Sequence, residues 1–194
     1  MEGVYLKYHM KRILVGISGA SGAPIAIRLL QRLKVNQDIE THLIMTDSAC
    51  LTIEQETEYS VQQVQSLADV VYDIKKIGAK PASGSFQIDK MIIVPCSMKT
   101  LSSIANGYAS NTITRVADVS LKEHRKTVIV PRETPLRSIH LENMLNLSKE
   151  GAVILPAMPG FYSDSDTVDD QINFIVGKIL DSLNIENNIY KRWE

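Results

Sequence analysis

Two segments of the sequence combine residue types suited to binding a phosphate or a flavin. Gly16–Gly22 (GISGASG) supplies glycines, which let a backbone approach a ligand closely, and the hydroxyls of Ser18 and Ser21. The helix predicted after it would offer free N–H groups to an anion. Pro95–Thr100 (PCSMKT) brings two hydroxyls and a lysine to another predicted helix start. Ser97 could equally be only the cap of that helix.

Charged residues between prolines mark a third segment, Pro131–Leu136 (PRETPL). Arg132 could hold a phosphate through two hydrogen bonds, and Glu133 could act as a general base or stabilise a cation. A solvent-exposed, salt-bridged turn explains the pair about as well. Further along, Tyr162 ends a loop rich in proline and glycine, where it could donate to a phosphate or simply pack.

Several other polar residues can be explained by a structural role as well as by ligand binding. Thr46 could bind a phosphate or a ribityl chain, and Asp47 a ribose, but Asp47 could also be an ordinary first-turn helix residue. The acidic segment 164–170 invites comparison with Mg²⁺-binding aspartates, but capping and charging of the following helix is favoured. No metal-ligand spacing connects the histidines at 42, 124 and 140. The Gly-x-Gly-x-x-Gly dinucleotide fingerprint and a Walker lysine are both absent from the first glycine-rich segment.

Alternating elements must position these residues. Apolar segments predict five buried strands, at 13–17, 41–45, 91–95, 127–131 and 152–155. Helices are predicted at 24–34, after Ser97, after Thr112, around 140–147 and at 168–183. Such alternation predicts an α/β fold with a parallel sheet covered on both faces, and ligands bind beyond the carboxyl ends of its strands. We expect one domain over residues 11–194, preceded by an N-terminal extension, residues 1–10; translation could start at Met10.

Composition gives no reason to expect nucleic acid or a membrane as partner. The 194 residues carry a formal net charge of −1, and no apolar run approaches the length of a membrane helix. The N-terminus lacks the apolar core of a signal peptide. Cys50 and Cys96 are far apart in the sequence and form no Cys-x-x-Cys pair, which fits a reducing cytoplasm.

Several motifs occurring together in order resemble the UbiX-type flavin prenyltransferases. The resemblance runs from about Lys11 to the end of the chain, and the segment 139–145 is most similar to the branch associated with phenolic-acid decarboxylases. The motifs are SGASG at 18–22, SGSF at 83–86, PCSMKTL at 95–101, RVAD at 115–118, LKE at 121–123, PRETPL at 131–136, Phe161-Tyr162 and Arg192-Trp193.

This resemblance implies a three-layer Rossmann-like or flavodoxin-like fold with a mostly parallel sheet, assembled as a homododecamer with FMN bound between subunits. It further implies dimethylallyl monophosphate as second substrate, joined to N5 and C6 of reduced FMN without a metal. The prenylated FMN would serve a decarboxylase of the UbiD type.

The resemblance also implies roles for individual residues. Lys178 is arginine in some relatives, and Thr46 is serine in many. The implied flavin contacts are Gly19, Ala20, Ser21, Thr46, Ser97, Met98, Lys99, Thr100 and Arg132. The implied contacts to the prenyl phosphate are Lys122, Arg132, Tyr162 and Lys178, with Trp193 closing the pocket. The implied catalytic residues are Ser21, Glu56, Lys122 and Glu133.

Two alternative functions use the same flavin fold. One is a non-catalytic FMN carrier or accessory subunit of an aromatic-acid decarboxylase, which would need only the flavin half of the site. The other is a flavin-dependent cysteine decarboxylase, whose relatives use a histidine in the first helical region. Residues 24–34 contain no histidine, which argues against that alternative.

Overall fold

Six parallel strands form one sheet in the computed structural model, which describes residues 10–161 and 166–193. The strands lie in the order β3-β2-β1-β4-β5-β6. Their bounds are β1 Lys11–Ile17, β2 Ile39–Met45, β3 Val70–Tyr72, β4 Lys90–Cys96, β5 Lys126–Pro131 and β6 Val153–Ile154. Residues 13–17 of β1 and 91–96 of β4 are all buried, as expected for central strands covered on both faces.

Seven α-helices and a short 3-10 helix, Lys80–Ala82, cover the described sheet on both sides. Helices α1 and α7 pack with the β1 side chains of Ile13, Val15 and Ile17, whereas α4, α5 and α6 pack on the opposite face, with Leu14. The predicted three-layer α/β fold is therefore confirmed. The helices are α1 Ala23–Lys34, α2 Asp47–Glu56, α3 Val61–Gln65, α4 Met98–Ala105, α5 Thr112–Lys122, α6 Ser138–Lys149 and α7 Val168–Ser182.

The described structure contains four elements that the apolar patterns did not predict, namely β3, α2, α3 and the 3-10 helix, although the interpretation of Asp47 as a first-turn helix residue pointed to α2. Strand β3 has only three residues and lies at the edge of the sheet, so it leaves almost no apolar pattern. Helix α2 buries only Ala49 and Ile53, too few residues to show a helical period. The predicted fifth strand is present as β6 but spans only two residues.

The strand order reverses between β1 and β4, because β2 continues the sheet on one side of β1 and β5 continues it beyond β4. Ligands of open α/β sheets bind at such a switch point, beyond the carboxyl ends of the strands. The glycine-rich segment after β1 and Ser97 after β4 lie there. Within the described residues, no helix is both long and apolar enough to cross a membrane.

Candidate flavin site

Ser18 joins the two loops at the switch point. Its side chain is buried, its hydroxyl donates to the Pro95 carbonyl at 3.0 Å, and the same oxygen accepts from the Ser97 backbone N–H at 2.8 Å. A buried hydroxyl with both partners satisfied fixes the loops relative to each other. The turn after β1 and the start of α4 therefore form one rigid floor.

Gly19 lies so close to α2 that no other residue fits. A Cβ atom at Gly19 would be 2.3 Å from the Cβ of Ser48, well inside van der Waals contact. This contact brings the glycine-rich turn against the start of α2, beside Thr46. The close approach seen here is to α2, and the approach of this segment to a ligand stays a prediction.

Glu56 occupies the N-terminus of α1. Its carboxylate accepts the backbone N–H groups of Gly22 at 2.8 Å and Ala23 at 2.9 Å, and it also accepts from the Ser21 hydroxyl. The next residue, Pro24, has no N–H. The expectation that this helix start offers free N–H groups to a bound anion is therefore wrong, because the protein supplies the anion itself.

The environment of Glu56 keeps its carboxylate ionised. Burial raises the pKa of Glu56, but the hydrogen bonds from Ser21 and the two backbone N–H groups outweigh it. With the positive charge of Arg132, they hold the pKa below its ordinary value. Glu56 thus lies within electrostatic reach of Ser21 and of Arg132, two residues that the family resemblance assigns to the same site. The Ser21 hydroxyl can donate to the Glu56 carboxylate while its oxygen accepts a hydrogen bond from a ligand.

The hydroxyls of α4 are largely used by the helix itself. Ser97 is the N-cap, and its hydroxyl accepts the Thr100 N–H at 3.3 Å and contacts the Thr100 hydroxyl at 3.2 Å. Thr100 is buried and Met98 packs partly against the core, whereas Lys99 is exposed. The capping interpretation of Ser97 is confirmed. Of this segment, Lys99 is the side chain most open to a ligand.

Thr46 and Lys99 line a polar cavity of about 390 Å³ between the ends of β2 and β4. Thr46 is also the N-cap of α2, accepting the Ala49 N–H at 3.1 Å, and Asp47 begins that helix. The other lining residues are Asp47, Ser48, Ile74, Lys75, Ser110 and Asn111. The cavity joins two lysines to several hydroxyl and amide groups, a donor set that suits a phosphate. Sequence analysis missed Lys75 and Asn111, which follow no predicted strand.

Arg132 and Glu133 project from the end of β5. Both are exposed, and the Arg132 N–H donates to the Cys96 carbonyl at 3.2 Å, fixing the loop beside β4. The two side chains form no ion pair with each other; the Glu133 carboxylate accepts the Thr134 N–H at 3.0 Å. The alternative of a salt-bridged turn is therefore wrong, and the Arg132 guanidinium remains available beside Glu56.

Two other implied phosphate ligands, Lys122 and Lys178, lie away from this cluster. Lys122 ends α5 just before the amino end of β5, whereas Arg132 follows the carboxyl end of that strand. The six residues of β5 span about 20 Å. Lys122 forms an ion pair with Glu123 at 2.7 Å. Lys178 is exposed on α7, in the other helical layer. Trp193 is 79% exposed, and Tyr162 lies outside the described residues. One chain therefore does not bring these residues to a single phosphate.

The remaining polar candidates have structural roles. Cys96 is buried, which raises the pKa of its thiol and makes it a poor nucleophile. Thr167 caps α7 in a capping box with Asp170, as expected for the acidic segment, of which residues 164 and 165 lie outside the described part. Within the described residues, 10–161 and 166–193, no group of three or more His, Cys, Asp or Glu side chains could hold a metal ion.

Comparison with known proteins defines the class. A family model described as Flavoprotein matches residues 4–183. The chain is 51% identical over 185 residues to the flavin prenyltransferase LpdB of Lactiplantibacillus plantarum, covering 95% of this chain and 99% of that protein. Together these matches show that the chain belongs to the flavoprotein family, among its UbiX-type flavin prenyltransferases.

Solved structures agree over nearly the whole chain. One is a dodecameric FMN-dependent UbiX-like decarboxylase from Escherichia coli O157:H7, with 48% identity, a TM-score of 0.93 and coverage of 94% of this chain and 99% of that one. Another is AnUbiX (PadA1), in complex with FMN and dimethylallyl pyrophosphate, with 45% identity, a TM-score of 0.94 and coverage of 96% and 98%. The three-layer fold is thus shared in full.

Proposed function

We propose that this protein transfers a dimethylallyl group to N5 and C6 of reduced FMN. The observation that carries the proposal is the cluster of Ser21, ionised Glu56 and Arg132 at the switch point, beside a cavity suited to a flavin phosphate. A relative of the same fold has been solved with FMN and dimethylallyl pyrophosphate. FMN is a substrate in this reaction, and the donor we propose is dimethylallyl monophosphate.

We propose that the flavin lies against this cluster and contacts the groups already described. Gly19, Ala20 and Ser21 would lie along the ring system, while Thr46 and Lys99 would hold the ribityl phosphate in the 390 Å³ cavity. Ser97, Met98 and Thr100 would serve the site mainly by fixing its floor, since their polar groups are engaged in capping or their side chains are buried. Arg132 would lie between the flavin and the prenyl phosphate.

The chemistry assigned to the protein is stabilisation of a leaving phosphate and removal of one proton. As the bond from N5 to the prenyl carbon forms, the carbon–oxygen bond breaks and the phosphate leaves with its electron pair. Cationic side chains stabilise that developing charge. Attack by N5 would release the N5 proton, and protonation of the remaining prenyl double bond would create a tertiary cation for C6 to attack. C6 would then lose its own proton, so that one proton is lost overall. Glu133, Ser21 or the departing phosphate would accept it, while Ser21 and Glu56 hold the N5 region through hydrogen bonds. Four side chains would donate to the phosphate, namely Lys122, Arg132, Tyr162 and Lys178. Their hydrogen bonds and charges would stabilise the leaving phosphate without a metal ion.

The phosphate site requires more than one copy of the chain. Lys122 and Lys178 lie in opposite helical layers, and Lys122 and Arg132 lie at opposite ends of β5. They can meet on one phosphate only if neighbouring subunits contribute them, together with Tyr162 and Trp193. We therefore propose a homo-oligomer, a dodecamer as in the E. coli relative, with FMN between subunits.

Shared sites can be tested by mixing two inactive variants. Glu133→Gln and Lys178→Ala chains would be unfolded together and reassembled at equal ratio. If each site takes the two residues from different copies, random assembly restores about a quarter of the sites. If both residues came from one chain, every site would contain a defect and the mixture would stay inactive.

The reaction itself is tested by mass spectrometry of the flavin. Protein, reduced FMN and dimethylallyl monophosphate are incubated anaerobically without added metal, and the released flavin is weighed. A gain of one five-carbon unit is the expected result. Unmodified FMN retained by folded protein would refute prenyl transfer and favour the non-catalytic FMN carrier. The same reaction with dimethylallyl diphosphate compares the two donors.

The cellular context is also part of the proposal. We propose that a UbiD-type decarboxylase receives the prenylated FMN, that residues 11–194 form one domain after an extension of residues 1–10, and that the protein works in the cytoplasm. Its two cysteines are unpaired, which supports a reducing compartment. Rescue of an apo-decarboxylase by this protein, but not by FMN alone, would test the first point.

A further inference from the structure

The C-terminal strap, residues 184–193, folds back along α7. The helix ends at Ser182, Leu183 is fully buried, and the Ile185 N–H donates to the Leu180 carbonyl at 2.9 Å, which turns the chain round. Lys90, at the start of β4, donates to the Leu183 carbonyl and fixes the turn to the sheet. The strap thus starts from a fixed point.

The carboxylate of Asp181 accepts hydrogen bonds from three residues of the strap. It accepts from the Tyr190 hydroxyl at 2.5 Å, from the Asn187 amide at 2.8 Å and from two nitrogens of Arg192 at 2.8 and 3.1 Å. Burial raises the pKa of Asp181, but its hydrogen bonds and the charge of Arg192 outweigh it and hold the pKa below its ordinary value. The last of these donors immediately precedes Trp193.

A notch in α7 accepts the ring of Tyr190. A Cβ at Gly177 would be 2.1 Å from Tyr190 Cδ1, so only glycine lets the ring lie against the helix beside Lys178. Tyr190 also packs edge-on against Phe174, with ring centroids 5.4 Å apart. The tip of the Phe174 ring lies against Gly160, where a Cβ would be 2.7 Å from Phe174 Cζ. The strap is therefore in contact, through one ring, with the loop that leads to Tyr162.

We propose that Asp181 is a positioning residue for the prenyl-phosphate half of the site. Through Tyr190 and Arg192 it sets the strap that carries Trp193, and through Phe174 it sets the loop before Tyr162. This inference rests on the proposed function, because Tyr162, Lys178 and Trp193 act there on the second substrate. Asp181 contacts neither substrate and acts only through these groups.

The test uses Asp181→Asn, Tyr190→Phe and, as a matched control, Glu186→Gln, which removes a charge from an exposed side chain of the strap. Tyr190→Phe removes the bond that the hydroxyl donates to Asp181 and the one it accepts from Arg192 at 3.2 Å, but it keeps the ring in its notch, so it tests the anchor without risking the fold. Trp193 is the only tryptophan, so its fluorescence anisotropy reports directly on the strap. Trypsin cleavage after Lys191 or Arg192 reports how often the strap detaches.

For Asp181→Asn we expect lower anisotropy, faster cleavage and a KM for dimethylallyl monophosphate raised on the order of tenfold, as for loss of a charged hydrogen-bond acceptor. The affinity for FMN and the kcat stay at the control value. Tyr190→Phe shows the same pattern to a smaller degree. Unchanged anisotropy and cleavage would refute the anchor, and a loosened strap with an unchanged KM would refute its positioning role.

The failure of the proposed function gives a different pattern. A wild-type protein that binds FMN but makes no prenylated flavin would refute prenyl transfer whatever the variants show. Anisotropy and cleavage would then still decide whether Asp181 holds the strap, because neither measurement depends on turnover.

Discussion

Replacing Glu56 by glutamine tests the assignment of the α1 N-terminus to a carboxylate. The ionised side chain accepts from Gly22, Ala23 and the Ser21 hydroxyl, and it faces the positive charge of Arg132. Glutamine keeps one acceptor oxygen and turns an amide N–H group towards donors. We expect the variant to fold, to bind FMN more weakly and to be less stable at pH 7.

The magnitude follows from the number and the exposure of these bonds. A hydrogen bond to a charged group contributes about 1.5–3 kcal/mol when buried, but the Glu56 side chain is exposed, so screening reduces the sum to about 1–2 kcal/mol. For a chain of this size that loss lowers the unfolding midpoint by about 2–8 °C.

The effect should depend on pH with a defined sign. Because the folded state lowers the pKa of Glu56, its stabilisation is fully present above the ordinary value of 4.5 and is lost as the pH falls through the folded pKa. The difference in unfolding midpoint between wild type and Glu56→Gln should therefore be constant from pH 7 down to about pH 5 and become smaller below pH 4.5.

Thermal unfolding followed by circular dichroism between pH 7 and pH 3.5 measures this gap. Glu54→Gln is the matched control, since it removes a charge from the same exposed helix without touching α1. Equal midpoints at pH 7, or a gap that stays constant through the acid range, would refute the assignment. A similar loss in the Glu54 control would show a general charge effect instead.

Further substitutions test the floor and the chemistry of the site. Gly19→Ala should lower FMN affinity more than tenfold, because its Cβ meets Ser48, whereas Gly78→Ala, with no atom within 4 Å, should leave the affinity unchanged in a fluorescence titration. Ser18→Ala should cost about 1–3 kcal/mol in urea unfolding, since it leaves the Ser97 N–H without its acceptor, although the Pro95 carbonyl keeps the Ser18 backbone N–H; an unchanged midpoint would contradict its linking role. Glu133→Gln should slow single-turnover prenylation far more than it weakens FMN binding, and equal losses would remove it from the chemistry.

The sheet could be predicted because its central strands are buried on both faces and read as unbroken apolar runs. Strand β3 could not, because an edge strand of three half-exposed residues has no run to detect. Helix α2 escaped for a related reason, since its outer face is polar and only two of its residues are buried. Edge elements of this kind are specified by their neighbours rather than by their own pattern.

At the site, the sequence located the loops but not their internal contacts. Ser21, Glu56 and Arg132 were expected together only through the family resemblance, since they follow three different strands. Nothing local in the sequence shows that Glu56 reaches back to α1, because 33 positions separate it from Ala23. Lys75 and Asn111 were missed because they lie in loops that reach the cavity from the side.

The Glu56 carboxylate, which lies at the start of α1, also determines which cofactors the site excludes. Dinucleotide-binding proteins with this strand order place the pyrophosphate against that helix end, where the dipole favours a negative charge. Here the dipole is already neutralised by Glu56, and an incoming pyrophosphate would meet like charge and no unpaired donor on Gly22 or Ala23. Cellular nicotinamide dinucleotides would thus be excluded by electrostatic repulsion, leaving the cleft to a mononucleotide whose phosphate lies elsewhere.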